Sequence, residues 1–89
     1  MRILIVEDEA EIVRFLKLEL EHEGYQVESC SDGASGLERA QSGAFDLVLL
    51  DVMLPELNGL EVLRRMRKTS AVPVILLTAR DAVMEKVNG

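Results

Sequence analysis

Eighty-nine residues suit one small domain, and an apolar content of 48% rules out a disordered tail. Sixteen Asp and Glu against ten Lys and Arg give a formal charge of −6, without the clustered cations that grip nucleic-acid phosphates. Phe15, Phe45 and Tyr25 are too scattered for a base-stacking platform. Cys30 stands alone, which gives no disulfide framework or zinc set and suits a reducing cytoplasm; the opening apolar run is too short for a signal peptide, and no stretch approaches the ~20 residues that span a bilayer.

Short apolar runs alternate with amphipathic stretches, the pattern of βαβ units and a parallel sheet. Residues 2–6 (RILIV) read as a first strand covered on both faces, because the run does not alternate. Residues 10–22 follow as a helix with Ile12, Val13, Leu16 and Leu20 on one stripe, stopped by Gly24 in a left-handed C-terminal position. Residues 26–30 (QVESC) alternate weakly and are expected at an edge. Asp32 caps a second helix, about 33–42, with Leu37 and Ala40 facing inward.

Residues 46–50 (DLVLL) are the most apolar strand and the expected centre of the sheet. Asn58, followed three residues on by Glu61, has the spacing of a helix start. A third helix over about 59–68 is expected to bury Leu60, Leu63 and Met66, with Arg64, Arg65, Arg67 and Lys68 on its solvated side. Pro73 opens a fourth strand, Val74 to Leu77, and Asp81 is placed as the cap of a last short helix. The count is four βα units.

In open parallel α/β sheets the ligand site lies beyond the C-terminal strand ends. Those ends carry Glu7 and Asp8 after the first strand, Asp51 after the third and Thr78 after the fourth. Three carboxylates in one pocket repel each other, and a divalent cation relieves that repulsion. An all-oxygen donor set favours Mg²⁺, Mn²⁺ or Ca²⁺ over zinc, and Mg²⁺ keeps positions for water and phosphate oxygens. Such a cation beside a carboxylate suits phosphoryl transfer, with Asp as the nucleophile that forms an acyl phosphate. Asp51 ends the most buried strand and is the best-held candidate; the Thr78 hydroxyl is placed to donate to a phosphoryl oxygen. The bland readings stand beside these. Glu7 and Asp8 also suit a helix N-terminus, Asp51 an Asx turn before a proline loop, and Thr78 a cap.

The segments ILIVEDE, DLVLLDVMLPELNGLEVL and PVILLTAR, in this order and spacing, resemble the receiver domain of two-component response regulators, most closely the winged-helix transcription-factor branch. The resemblance covers residues 1–89. It implies a flavodoxin-like, doubly wound parallel sheet of strand order 2-1-3-4-5. By position, Asp51 resembles the phosphoacceptor and Asp8 the direct Mg²⁺ ligand (Mn²⁺ as a substitute). Glu7 resembles the acid that reaches the metal mainly through water. Met53 occupies the position whose backbone carbonyl coordinates the ion, and Thr78 that of the switch hydroxyl, with Ala79 the small residue that leaves it room. Pro55 and Gly59 match the turn after the acceptor. The implied role is a cytoplasmic phosphoacceptor signalling domain, not an enzyme. It would be served by a sensor histidine kinase and would control a DNA-binding output domain, without touching nucleic acid or membrane itself.

The family pattern has a fifth βα unit, carrying a strand-end Lys followed by Pro, which these residues lack. Lys17, Lys68 and Lys86 lie on predicted helices and do not match it. The expectation is an incomplete receiver of four βα units whose fourth strand, an unpaired apolar edge, invites self-association. The alternative reading is therefore a phosphorylation-incompetent receiver that acts as an interaction or self-associating module. An aspartyl-phosphate hydrolase of the haloacid dehalogenase type is disfavoured, because Met53 stands where those enzymes need a second Asp.

Overall fold

The computed structural model describes residues 1–77. Thr78, Ala79 and the helix expected from Asp81 lie outside the described residues. Four parallel strands, β1 (Arg2–Val6), β2 (Gln26–Cys30), β3 (Leu47–Asp51) and β4 (Val74–Leu77), form one sheet in the order β2-β1-β3-β4. Helix α1 (Ala10–His22) follows β1, α2 (Gly33–Ala40) follows β2 and α3 (Gly59–Met66) follows β3. The doubly wound α/β reading is correct, with β2 at an edge and β1 and β3 central.

The two faces of the sheet bury different side chains. Leu4, Val6, Val48 and Leu50 point to one face, where Ala40 of α2 and Val62 and Met66 of α3 close over them. Ile3, Ile5, Val27 and Leu49 point to the other, where Val13, Leu16 and Leu20 of α1 lean on them. This division follows from right-handed crossovers in a parallel sheet: the first connection runs outward to β2, the next returns past β1 to β3. The α2 and α3 side is the tighter one. A Cβ on Gly36 would stand 2.6 Å from Val6, so only glycine lets α2 approach the sheet this closely.

Helix ends follow the local chemistry. The Asp32 carboxylate accepts the Ser35 N–H at 2.8 Å, and Asn58 Oδ1 accepts the Glu61 N–H at 3.0 Å, so both predicted caps are in place. Gly24 has φ +94° and ends α1 as expected.

Two expectations need correction. Leu60 is 54% exposed and does not line the buried side of α3; the inward stripe is Gly59, Val62 and Met66, with Leu63 half-buried. The residue three positions before Val62 on that stripe is a glycine, which carries no hydropathy signal. β3 begins at Leu47 rather than at Asp46. Asp46 still meets β1, its N–H donating to the Arg2 carbonyl at 2.8 Å, while its carboxylate takes the Arg2 N–H, also at 2.8 Å.

Candidate functional site

The strand ladders extend one residue beyond β1 and β3, and this fixes the acids. The Glu7 N–H donates to the Cys30 carbonyl at 3.0 Å, and the Val52 N–H to the Leu77 carbonyl at 3.1 Å. Glu7 and Asp51 are thus held at the same end of adjacent central strands. One carboxylate oxygen from each of Glu7, Asp8 and Asp51 lies within 4.8 Å of the others. Glu7 and Asp51 are buried, at 3% and 5% exposure, while Asp8 is exposed. A half-open cluster of two buried acids and one exposed acid is accessible from solvent yet anchored at its base by the strand hydrogen bonds.

Each buried acid already has one oxygen engaged by the backbone. Glu7 Oε2 accepts the Glu9 N–H at 2.9 Å, at the start of α1, and Asp51 Oδ1 accepts the Met53 N–H at 3.0 Å. The helix-start contact of Glu7 and its place in the carboxylate cluster therefore coexist. Glu9 itself makes no side-chain cap to α1. This grip on Glu7 was not foreseen, and only the two-residue offset of an acid before a helix start hints at it.

Burial is the main influence that pushes the Glu7 carboxyl above the usual carboxylate range. The Glu9 N–H opposes the shift, and the Asp51 and Asp8 carboxylates reinforce it. None of the ion pairs among the described residues reaches the cluster; they join Arg2 and Arg39 to Glu28, and Arg64 and Arg65 to Glu61. Three acids without a cationic partner among the described residues, all offering oxygen, fit a hard divalent cation in the chemistry of their donor set.

The loop after β3 shapes the rim. The Gly59 N–H donates to the Val52 carbonyl at 3.0 Å, and a Cβ on Gly59 would lie 2.1 Å from the Asp51 carbonyl oxygen. Gly59 thus brings α3 directly against the backbone of the acid. Within the loop Glu56 takes φ +64°, a left-handed conformation that a side chain disfavours. The Met53 side chain is exposed, and its N–H is the group that faces Asp51. Of the sequence-derived candidates, the structure brings Glu7, Asp8 and Asp51 together with the Met53 backbone beside them; Thr78 lies outside the described residues.

Known proteins share this arrangement of chain and fold. The family described as response regulator receiver domain matches residues 3–89. The transcriptional regulatory protein YkoG of Bacillus subtilis (strain 168) is 64% identical over 88 residues, which are 98% of this chain and 39% of YkoG. The crystal structure of the response regulator TrrA from Thermotoga maritima, in complex with Mg²⁺-BeF, matches with a TM-score of 0.83 at 40% identity, over 97% of this chain and 76% of that chain. A chain from the complex of the histidine kinase ThkA with TrrA matches with a TM-score of 0.80 at 35% identity, over 98% of this chain and 95% of that one. This chain spans about two fifths of the length of the curated relatives it matches.

Proposed function

Because the chain belongs to the response-regulator receiver domains, which are signalling domains, we propose that Asp51 is its phosphoacceptor. The observation that carries the reading is the burial of Asp51 at the end of β3, with Glu7 and Asp8 oxygens within 4.8 Å. Asp8, Asp51 and the Met53 carbonyl would hold Mg²⁺, or Mn²⁺ in its place, with Glu7 acting through water. When bound, the ion neutralises charge on the transferring phosphoryl group.

The chain's own residues do the rest. The Met53 N–H fixes one Asp51 oxygen and leaves the other free to attack phosphorus. The Glu9 N–H holds Glu7 at the edge of the cluster, where its negative charge helps attract the cation. The Thr78 hydroxyl is assigned as the donor to the phosphoryl group and the switch element. The phosphoryl source is a sensor histidine kinase in the cytoplasm; the TrrA complex with ThkA supports that partner class. The controlled output is DNA binding by another part of the polypeptide, in keeping with the name and the greater length of YkoG.

Incubation with Mg²⁺ and acetyl phosphate, followed by intact mass measurement, tests the assignment. One phosphoryl adduct is expected, absent from Asp51→Asn and suppressed by EDTA. An adduct that survives Asp51→Asn overturns the reading.

Self-association is a second feature of the proposal. Ile75 is 53% exposed and Leu76 36% exposed on β4, the outer strand among the described residues. Strand pairing between copies would cover them. Light scattering across a dilution series is expected to show a concentration-dependent dimer; a monomer throughout refutes it.

A further inference from the structure

We propose that the Asn58–Gly59 peptide is a site of spontaneous deamidation, and that the start of α3 holds it shut. In the reaction the Gly59 backbone nitrogen, after giving its proton to hydroxide, attacks the side-chain carbonyl carbon of Asn58. The new carbon–nitrogen bond closes a succinimide ring, and Nδ2 leaves as ammonia with a proton from water. Water then opens the ring on either side, which gives aspartate or isoaspartate at position 58. The sum is amide plus water to carboxyl plus ammonia, with nothing oxidised or reduced, and it needs neither a metal nor a phosphoryl donor. Glycine obstructs the attacking nitrogen least, because it has no Cβ. Asn58 is exposed to the water that the reaction uses.

Both reacting groups are engaged in the folded chain. The Gly59 N–H donates to the Val52 carbonyl at 3.0 Å, so this nitrogen keeps its proton while α3 is seated against the end of β3. Asn58 Oδ1 accepts the Glu61 N–H at 3.0 Å, which ties the side-chain amide to the first turn of the helix. Ring closure therefore requires the helix start to open locally and release both hydrogen bonds. The same opening exposes the Gly59 N–H to hydrogen exchange, so deamidation and exchange share one gate.

The two products act differently on the fold. Aspartate caps a helix as well as asparagine does. Asp32, also followed by a glycine, already serves in this way at the start of α2, where it accepts the Ser35 N–H at 2.8 Å. Isoaspartate instead routes the main chain through the side-chain carbon and lengthens it by one atom. That atom enters beside Gly59, where even an added Cβ would lie 2.1 Å from the Asp51 carbonyl oxygen and 2.9 Å from Val52 Cα. The insertion displaces α3 from the backbone that carries Asp51, so a change at position 58 reaches the carboxylate cluster.

The test follows Asn58 in the folded protein and in a peptide of residues 54–63, in the same mildly alkaline buffer. Peptide mapping with isoaspartyl methyltransferase labelling separates Asn58 from Asn88, which also precedes a glycine. The protein is expected to convert at least about tenfold more slowly than the peptide. That slowing should match the hydrogen-exchange protection of the Gly59 amide within about threefold. Equal rates in protein and peptide, no conversion in the peptide, or a slowing unrelated to Gly59 protection overturns the proposal. The product supplies a second readout. The isoaspartyl form, separated chromatographically, should unfold at lower urea than Asn58→Asp, which should match the unaltered protein. An isoaspartyl form as stable as Asn58→Asp overturns the link to the Asp51 backbone.

Discussion

The two ends of this parallel sheet handle charge in opposite ways. Toward the N-terminal end, Glu28 pairs with both Arg2 and Arg39, and the Arg2 guanidinium lies over the Phe45 ring at 5.0 Å from its centroid. The Asp46 carboxylate there accepts the Arg2 N–H. At the C-terminal end three carboxylates converge, two of them buried, and no cation among the described residues pairs with them. One end disposes of its charges within the fold; the other concentrates charge that folding alone would disperse. Charge concentrated in this way clusters at functional sites, which is the ground for proposing one here.

The comparison is broken most severely at Gly59. Its ideal Cβ would sit 2.1 Å from the Asp51 carbonyl oxygen and 2.8 Å from the carbonyl carbon, both backbone atoms that have no rotamer to yield. Gly59→Ala is expected to lose about 3 kcal/mol or more by urea unfolding, and to weaken Mg²⁺ affinity with it, because the displaced backbone carries Asp51. Wild-type stability in this variant would mean that α3 does not abut the acid.

Much of this architecture was legible in the chain. β1, α1, β2 and β4 occupy their predicted spans, since apolar runs and the stops at Gly24 and Asp32 are local signals. The site acids were legible because each follows an apolar run, and a parallel sheet brings such ends together. Less legible were features that depend on close approach between backbones. Gly59 and Gly36 carry no hydropathy, so the apolar pattern points Leu60 inward where the structure has Gly59. The grip of the Glu9 N–H on Glu7 is local, but it depends on the backbone turn between β1 and α1, which hydropathy does not report.

A second effect sharpens the contrast. Glu7→Gln keeps an oxygen for the Glu9 N–H but removes a buried charge from the cluster. Without divalent cations it should stabilise the fold by about 1 kcal/mol, the usual reward for relieving a functional site. The sign of the pH dependence is fixed. The folded protein holds Glu7 above its ordinary value, so the protonated form favours folding. That contribution is complete below the ordinary value near 4.5 and disappears as pH rises through the raised folded value. The stability gap between wild type and Glu7→Gln should therefore open over that interval in thermal melts. Millimolar Mg²⁺ should close it at neutral pH, because a cation held by the cluster would favour the folded wild type over the variant. A gap that ignores Mg²⁺ would detach Glu7 from any metal role.

Strain at the same end adds a smaller term. Glu56→Gly removes the side chain from a residue at φ +64° and should raise stability by about 1 kcal/mol or less, part of the gain being lost to the greater freedom of glycine in the unfolded chain. The same substitution leaves the acids untouched, so phosphorylation of Asp51 should proceed at the wild-type rate. A destabilised variant would show that Glu56 makes a contact worth more than the strain it carries.

The opposite end should respond least. The side chains of Arg2, Arg39 and Glu28 are 41%, 50% and 37% exposed, and pairs this open to water gain little. Glu28→Gln is expected to cost below about 1 kcal/mol at low salt. In 1 M NaCl, where the screening length falls to about 3 Å, the difference should vanish. Mg²⁺ affinity should not change, since Glu28 lies away from the carboxylate cluster. A loss that persists at high salt would mean that Glu28 acts through packing against β1 and α2 rather than through charge. Both ends of the sheet would then be structural, and the converged acids would lose the contrast that marks them as the working end.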